Sequence, residues 1–309
     1  MKTKKAKDEN SIEAEARMEI DIDKIRREKP MSELMSFSIV NIDKPSGPTS
    51  FAVDLSIKQA LLLSKTSHFG TLDPMVTGVL PVSLSRACRL MPYFIGKKKK
   101  YVGVMHIHSD ISEKELRERM KDFIGKIRQM PPVKSRVKRE EREREVYSFE
   151  ILEIHGKDIM FESEVEAGTY IRKLVSDLGD KIRGAHMTEL RRVQASIFNE
   201  KDSVDLYKFL EAVNELKKGD ETKLREMLIP GEIVSQVLPV VQVEKRYVDK
   251  LLHGSPLFKE FVKGDVKISP KEEKIAVFCG QAFVGTFKMI KSVSILAQPE
   301  FVLQPLQKN

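Results

Sequence analysis

The sequence predicts an α+β protein with a mostly antiparallel, mixed sheet flanked by helices, followed by a small β-barrel. Three observations lead there. From Phe37 to about residue 200, period-two alternation is interleaved with helical periodicity. The strands come in hairpin style, which a doubly wound parallel sheet does not accommodate. From about Leu238 only short strands and glycine turns remain.

"FSIVNIDKP" reads as a strand that stops in the turn "DKPSGPTS", where proline and glycine break regular structure. Thr49 or Ser50 can cap the helix "FAVDLSIKQALLL". "VTGVLPVSLSRACRLMPYFI" opens as an apolar strand or helix start and ends in a short helix. "YVGVMHIHSD" alternates as a strand. "SEKELRERMKDFIG" is an amphipathic helix with Ser112 and Glu115 as a capping box. "VYSFEILEIHGKDIMFESEVEAG" is a hairpin hinged at His155 to Asp158. "TYIRKLVSDLGDKI" is a helix from near Tyr170, "HMTELRRVQASIF" a strand or short helical piece, and "VDLYKFLEAVNEL" a helix. In the last part "GDVKI", "KIAVFCG", "AFVGTFKMI" and "FVLQPL" read as strands. The division is 1–36 as a charged N-terminal extension that orders only on contact, 37–233 as the main domain and 234–309 as the barrel.

Several function classes drop out on composition. At 41% hydrophobic residues the chain can bury a large core, yet no run reaches the eighteen or more apolar residues of a membrane span. The first thirty residues carry both charge signs and no apolar h-region, which excludes a signal peptide. Cys88 and Cys279 lie far apart without a CxxC partner and read as small hydrophobes. His106 and His108 share a strand face, but no third ligand is near in sequence, so no metal is expected. The net charge of +8 is modest; its distribution says more. "GKKKKY" sets Lys97, Lys98, Lys99 and Lys100 before an aromatic. "GKIRQMPPVKSRVKREEREREVY" carries eight basic residues among four acids, including Lys134, Arg136, Lys138 and Arg139. Such clusters favour a polyanion, because each cation near a phosphate releases counterions.

The stretch "SHFGTLDPMVTGVLPV" holds one carboxylate, Asp73, in an apolar run. Pro74 keeps the Asp73 backbone extended, and Gly70 and Gly78 permit close approach by a neighbour. Two readings stand at this point: a turn in which the carboxylate bonds nearby amides, or a reactive group. In "EAGTYIRKLVSDLG" an arginine opens a helix and is able to pair with a carboxylate from elsewhere. Tyr101, after the lysine run, is able to stack on an unpaired base.

"NIDKPSGPTS", "HFGTLDPMVTGVLPV", "KKYVGVMHIH", "RQMPPVKSRVK", "VEAGTYIRKLVSDLG" and "GAHMTELRR" occur in the order found in TruB and dyskerin-type pseudouridine synthases. The series resembles the archaeal and eukaryotic H/ACA branch over about residues 37 to 200. The C-terminal part resembles a PUA domain loosely, through "LLHGSPL", "KGDVKI" and "IAVFCG". The resemblance implies a pseudouridine synthase fold with a PUA-like RNA-binding domain, and isomerisation of uridine to pseudouridine without cofactor or metal. It implies Asp73 as the catalytic carboxylate, either as nucleophile or as base at the sugar. It sets Tyr101 against the target base, Arg172 on the aspartate, and Ile171 and Leu190 as pocket walls beside Tyr170. His68 would stand where the flipped nucleotide's surroundings rearrange, and Lys44 would brace the active-site loops. The lysines and arginines named above would grip RNA backbone.

The substrates this implies are the T-arm uridine of tRNA, or rRNA presented by a box H/ACA guide RNA with the small H/ACA core proteins as partners. No membrane partner is implied. The location would be cytoplasmic in an archaeal-type cell and nucleolar in a eukaryote. Another class of reading is a non-catalytic RNA-binding scaffold of the same fold, against which intact Asp73, Tyr101 and Arg172 argue.

Overall fold

The computed structural model describes residues 19–131, 138–264 and 272–306. Residues 1–18, 132–137, 265–271 and 307–309 lie outside the described residues, and with them Lys134, Arg136 and most of the expected strand "GDVKI". The first helices are α1 (Ile22–Glu28), α2 (Met31–Ser36) and α3 (Ser50–Ala60). The large sheet is built from β1 (Ser38–Lys44), β2 (Thr66–His68), β3 (Thr77–Leu84), β4 (Lys99–Ile107), β5 (Gly125–Gln129), β6 (Arg142–His155), β7 (Asp158–Val165), β8 (Ala185–Ala195), β9 (Phe198–Asn199), β10 (Val204–Asp205) and β11 (Leu228–Pro230). Around it lie α4 (Met91–Ile95), α5 (Glu113–Lys121), α6 (Ile171–Lys181), α7 (Leu206–Lys217) and α8 (Thr222–Met227).

The strand order is β10-β1-β3-β8-β4-β7-β6-β5, with β11 on β1, β2 on β3 and β9 on β8. Among these pairings β1 with β10 and β3 with β8 are parallel; the others are antiparallel. The α+β expectation holds. Thr49 caps α3, its hydroxyl accepting from Ala52 N at 3.0 Å, which frees Ser50 for another task. α3 stops at Ala60, short of the run to Leu63, and Leu62 takes a left-handed φ of 54°. Ser112 caps α5 as its box predicts, accepting from Glu115 N. The apolar faces of α3, α5, α6 and α7 bury Ile57, Leu116, Leu174 and Phe209 against the sheet, each contributing about 1.5–3 kcal/mol.

The charged extension behaves differently over its described part. Residues 19–36 are folded: Ile20, Ile25, Met31 and Leu34 are buried, and Asp21 caps α1 by accepting from Lys24 N. Charge in both signs hid two short apolar pairs at helical spacing, Ile22 with Ile25 and Met31 with Leu34.

The C-terminal sheet comprises β12 (Val240–Gln242), β13 (Leu257–Phe258), β14 (Lys274–Cys279), β15 (Ala282–Met289) and β16 (Ile295–Val302), with α9 (Val248–Leu252) beside it. Its order is β12-β14-β15-β16-β13, curled like a half-barrel. Bonds from Lys263 N to Gln242 O (2.8 Å) and from Glu244 N to Phe261 O (3.0 Å) draw its two ends together. One apolar cluster joins this sheet to the rest: Ile20, Ile25, Phe37, Phe94, Ala276, Phe278 and Phe283. Phe37 stacks on Phe283 with ring centroids 5.4 Å apart. The Tyr93 hydroxyl donates to Thr286 Oγ1 (2.7 Å) and lies 3.0 Å from Glu300; burial pushes that phenol up to about 12.

Candidate active site

Asp73 sits in the turn between β2 and β3, and the main chain around it is tied down on every side. Ser50 Oγ donates to Leu72 O (3.0 Å) and accepts from Leu72 N (2.8 Å). Val76 N donates to Asp73 O at 3.0 Å, and Gly47 N donates to Pro74 O at 2.9 Å. Lys44, fully buried, spends its ammonium on the carbonyls of Pro45, Pro74 and Val76 at 2.8–2.9 Å. Lys44 thus ties the main chain of the loop together from beneath and, with no exposed surface, presents nothing to a substrate in this state. The proline and glycine of "DKPSGPTS" are what bring Gly47 and Ser50 over the Asp73 turn.

The Asp73 side chain takes none of the local amides as partners among the described residues, so the Asx reading does not describe it. Its carboxylate faces Arg172 instead, Oδ2 lying 3.2 Å from Nη2, with 59% and 61% of the two side chains exposed. An ion pair this open is worth about 0–1 kcal/mol in water. Covering it with a bound molecule would strengthen the attraction by lowering the local dielectric. Burial pulls the Lys44 ammonium below its usual value, while the Asp73 carboxylate pulls it up. Asp73 therefore stands in the field of two cations.

Arg172 lies in the first turn of α6, directly after Tyr170 and Ile171. Gln129 at the end of β5, 2% exposed, fixes that start: Tyr170 N donates to its Oε1 (2.9 Å) and its Nε2 donates to Tyr170 O (3.2 Å). α6 can lie this close to β8 because Gly179 has no Cβ; one would come within 2.5 Å of Ala185 N. Ile171 is 4% exposed and belongs to the core, and Leu190 packs partly buried against the same cluster. Tyr101 is 7% exposed, so little of its ring is open to a stacking base in this state. His68 has both ring nitrogens engaged, Nδ1 with Asp54 Oδ2 (2.6 Å) and Nε2 with Thr71 Oγ1 (3.1 Å).

The basic runs need correction. Lys99 does not face solvent: it is 6% exposed and donates to Ile95 O and Lys97 O. Burial and the neighbouring Arg192 push its amine down to about 8. The alternation of β4 forces this, since Lys99 shares a face with Tyr101 and the core. Lys98 and Lys100 on the other face pair with Glu164 and Glu162. Lys97 is exposed. Cross-strand carboxylates likewise answer Lys126 and Arg128 on β5. Lys138 and Arg139 are exposed, Lys138 within 2.9 Å of Glu140.

The His106–His108 pair gains a third imidazole across the sheet, His186, whose Nδ1 lies 2.8 Å from His108 Nε2. Among the described residues, no group of three His, Cys, Asp or Glu is arranged to hold a metal ion. No helix among them is long and apolar enough to cross a membrane.

Sequence reasoning missed Ser50, Gln129 and Arg192. Arg192, 1% exposed, donates from Nε to Val79 O (2.8 Å) and from Nη2 to Gly70 O (3.0 Å). The pair "RR" offered the hint, since alternation sends one arginine inward; which one depends on strand register.

Comparison with known proteins adds to this geometry. Residues 58–171 match the family model for the TruB family pseudouridylate synthase (N terminal domain), and 172–235 match the tRNA pseudouridylate synthase B C-terminal domain. A probable tRNA pseudouridine synthase B of Methanothermobacter thermautotrophicus is 42% identical over 77% of this chain and 74% of its own length. One of Sulfurisphaera tokodaii is 40% identical over 90% and 85%. Among solved structures, a Cbf5-Nop10-Gar1 complex superposes with a TM-score of 0.81 at 35% identity, covering 91% of this chain and 89% of the other. An H/ACA RNP bound to a substrate RNA containing 2'-deoxyuridine does so with 0.80 at 34% identity, covering 91% and 89%.

Proposed function

The chain belongs to the TruB family of pseudouridine synthases and isomerises uridine in RNA; from that premise we propose that Asp73 is the carboxylate that does so, on the T-arm uridine of tRNA or on rRNA presented by a box H/ACA guide. The observation that carries this reading is a lone exposed carboxylate, paired with Arg172, on a turn whose backbone is fixed by Lys44, Ser50 and Gly47. The reaction breaks the N1–C1′ bond, turns the base and rejoins it through C5. It needs one ionised acid at the ribose, held in place before the base arrives. Arg172 orients that acid through its guanidinium. Ile171, Leu190 and Tyr101 form the apolar floor under the flipped base. Tyr101 stacks on it, and Tyr170 and His68 line its approach.

The same reading takes 37–233 as the catalytic domain and 234–309 as a PUA-like RNA-binding domain. Lys97, Lys98, Lys100, Lys138 and Arg139 would meet phosphates as point charges. One structural relative is a Cbf5-Nop10-Gar1 complex, and small proteins of that kind would join this chain in guided action. We place the enzyme in the cytoplasm of an archaeal-type cell.

The test is release of tritium from C5 of labelled uridine in a T-arm RNA, without guide. Release to water supports stand-alone action on tRNA. Release only after guide RNA and core proteins are added supports the guided form. No release under either condition would leave the RNA-scaffold reading in its place.

A further inference from the structure

Ser50 and Asp54 stand four residues apart on α3 and share its buried face. Both reach the segment that leads into Asp73. Ser50 holds Leu72 at its N and O. Asp54, one turn further on, holds His68, its Oδ2 lying 2.6 Å from the ring Nδ1. The strand before the loop is tied to the same turn of helix, Thr66 Oγ1 donating to Asp54 O at 3.2 Å. One face of one helix thus grips both ends of the loop from His68 to Leu72.

Stability does not account for Asp54. Its Oδ1 is buried without a partner among the described residues, and a buried oxygen left unanswered opposes folding. Inside a helix an aspartate is also a poorer former than alanine or leucine. What the carboxylate does fix is the ring. A carboxylate accepts and does not donate, so Nδ1 carries the proton and Nε2 of the neutral ring keeps its lone pair. Nε2 lies 3.1 Å from Thr71 Oγ1, on an exposed residue two places before Asp73. Of the two bonds on the ring, one is held inside and the other stands at the surface.

We infer that Asp54 is a positioning residue that acts through His68, setting the tautomer and plane of the ring so that Nε2 faces the approach to Asp73. The inference rests on the proposed place of His68 beside the entering nucleotide. A ring fixed before the RNA arrives has no freedom left to lose when the RNA binds. Asp54 itself, buried beneath the ring, touches no substrate.

The experiment uses the full chain and T-arm RNA, with guide RNA and core proteins added if turnover needs them. Asp54→Leu removes the carboxylate and leaves Nδ1 without its acceptor. We expect it to lower kcat/KM for tritium release about tenfold. In nuclear magnetic resonance of isotope-labelled histidine, the neutral His68 ring should carry its proton on Nδ1 in the parent and lose that preference in Asp54→Leu. Because the effect passes through His68, Asp54→Leu should add nothing to the loss that His68→Gln already causes. Unchanged turnover in Asp54→Leu, or a proton on Nε2 in the parent, overturns the inference. If Asp54→Leu does not fold, Asp54→Ala decides by the same outcomes. His68→Gln separates the two layers. Parental turnover there refutes the underlying place of His68, whereas a slowed His68→Gln to which Asp54→Leu still adds its full loss refutes only this inference.

Discussion

The Arg172 guanidinium reaches across from the first turn of α6 to lie 3.2 Å from the Asp73 carboxylate, and both side chains stay more than half exposed. The two partners therefore meet in solvent, on backbones held rigid behind them.

Asp73→Asn keeps the shape of the turn and removes the charge. Tritium release from C5 should vanish while RNA affinity, read by filter binding, stays within about tenfold. Substantial residual turnover would mean that another carboxylate does the chemistry.

Arg172→Lys should leave RNA binding intact and lower turnover by about tenfold or more, because a point charge does not orient a carboxylate as a planar fork does. Equal rates in the variant and its parent would remove Arg172 from the site.

Ser50→Ala deletes both bonds to Leu72 and strands a buried amide and carbonyl. The expected loss is about 1–3 kcal/mol in urea unfolding, together with a fall in turnover. Unchanged stability would show that water replaces the hydroxyl.

Lys99 titrates near pH 8 when folded, against its usual 10.5. Between those values the unfolded chain holds more protons, so this group makes stability rise with pH over that window and leaves it flat below about 8. Subtracting the unfolding profile of Lys99→Met from that of the parent should isolate the rise. A flat difference would mean that the amine is not desolvated.

The same burial separates neighbouring lysines in RNA binding. Lys97→Ala should reduce the slope of log affinity against log salt by about one, whereas Lys99→Met should leave it unchanged. Equal slopes in the two variants would contradict the inward turn of Lys99.

Much of this architecture was legible because its signals are local. Ser112 with Glu115, the His155–Asp158 hinge and the spacing in "VDLYKFLEAVNEL" each announce one element. The Asp73–Arg172 meeting was legible only through resemblance, since the two residues stand on separate elements. Other features depend on pairings no short window contains. Lys99 reads as surface charge until β4 is known to lie between β7 and β8. Arg192 rather than Arg191 points inward because of the register of β8; Arg191 instead reaches Asp43 and Glu200. Ser50 looked like a spare cap, and its work became visible only with Leu72 beside it.

The two ends of the described chain are stitched to one another. Gln281 holds Glu19 O and Asp21 N at 3.0 and 2.8 Å, Lys29 pairs with Glu232, and Arg86 bonds Gln304 O. With Phe37 stacked on Phe283 between them, neither sheet can come apart without uncovering the other. Melting should accordingly be one cooperative event, with a single calorimetric peak whose van't Hoff and calorimetric enthalpies agree. Removing residues 19–36 would unseal both sheets at once, so such a shortened chain should unfold at a much lower temperature instead of losing only a charged leader.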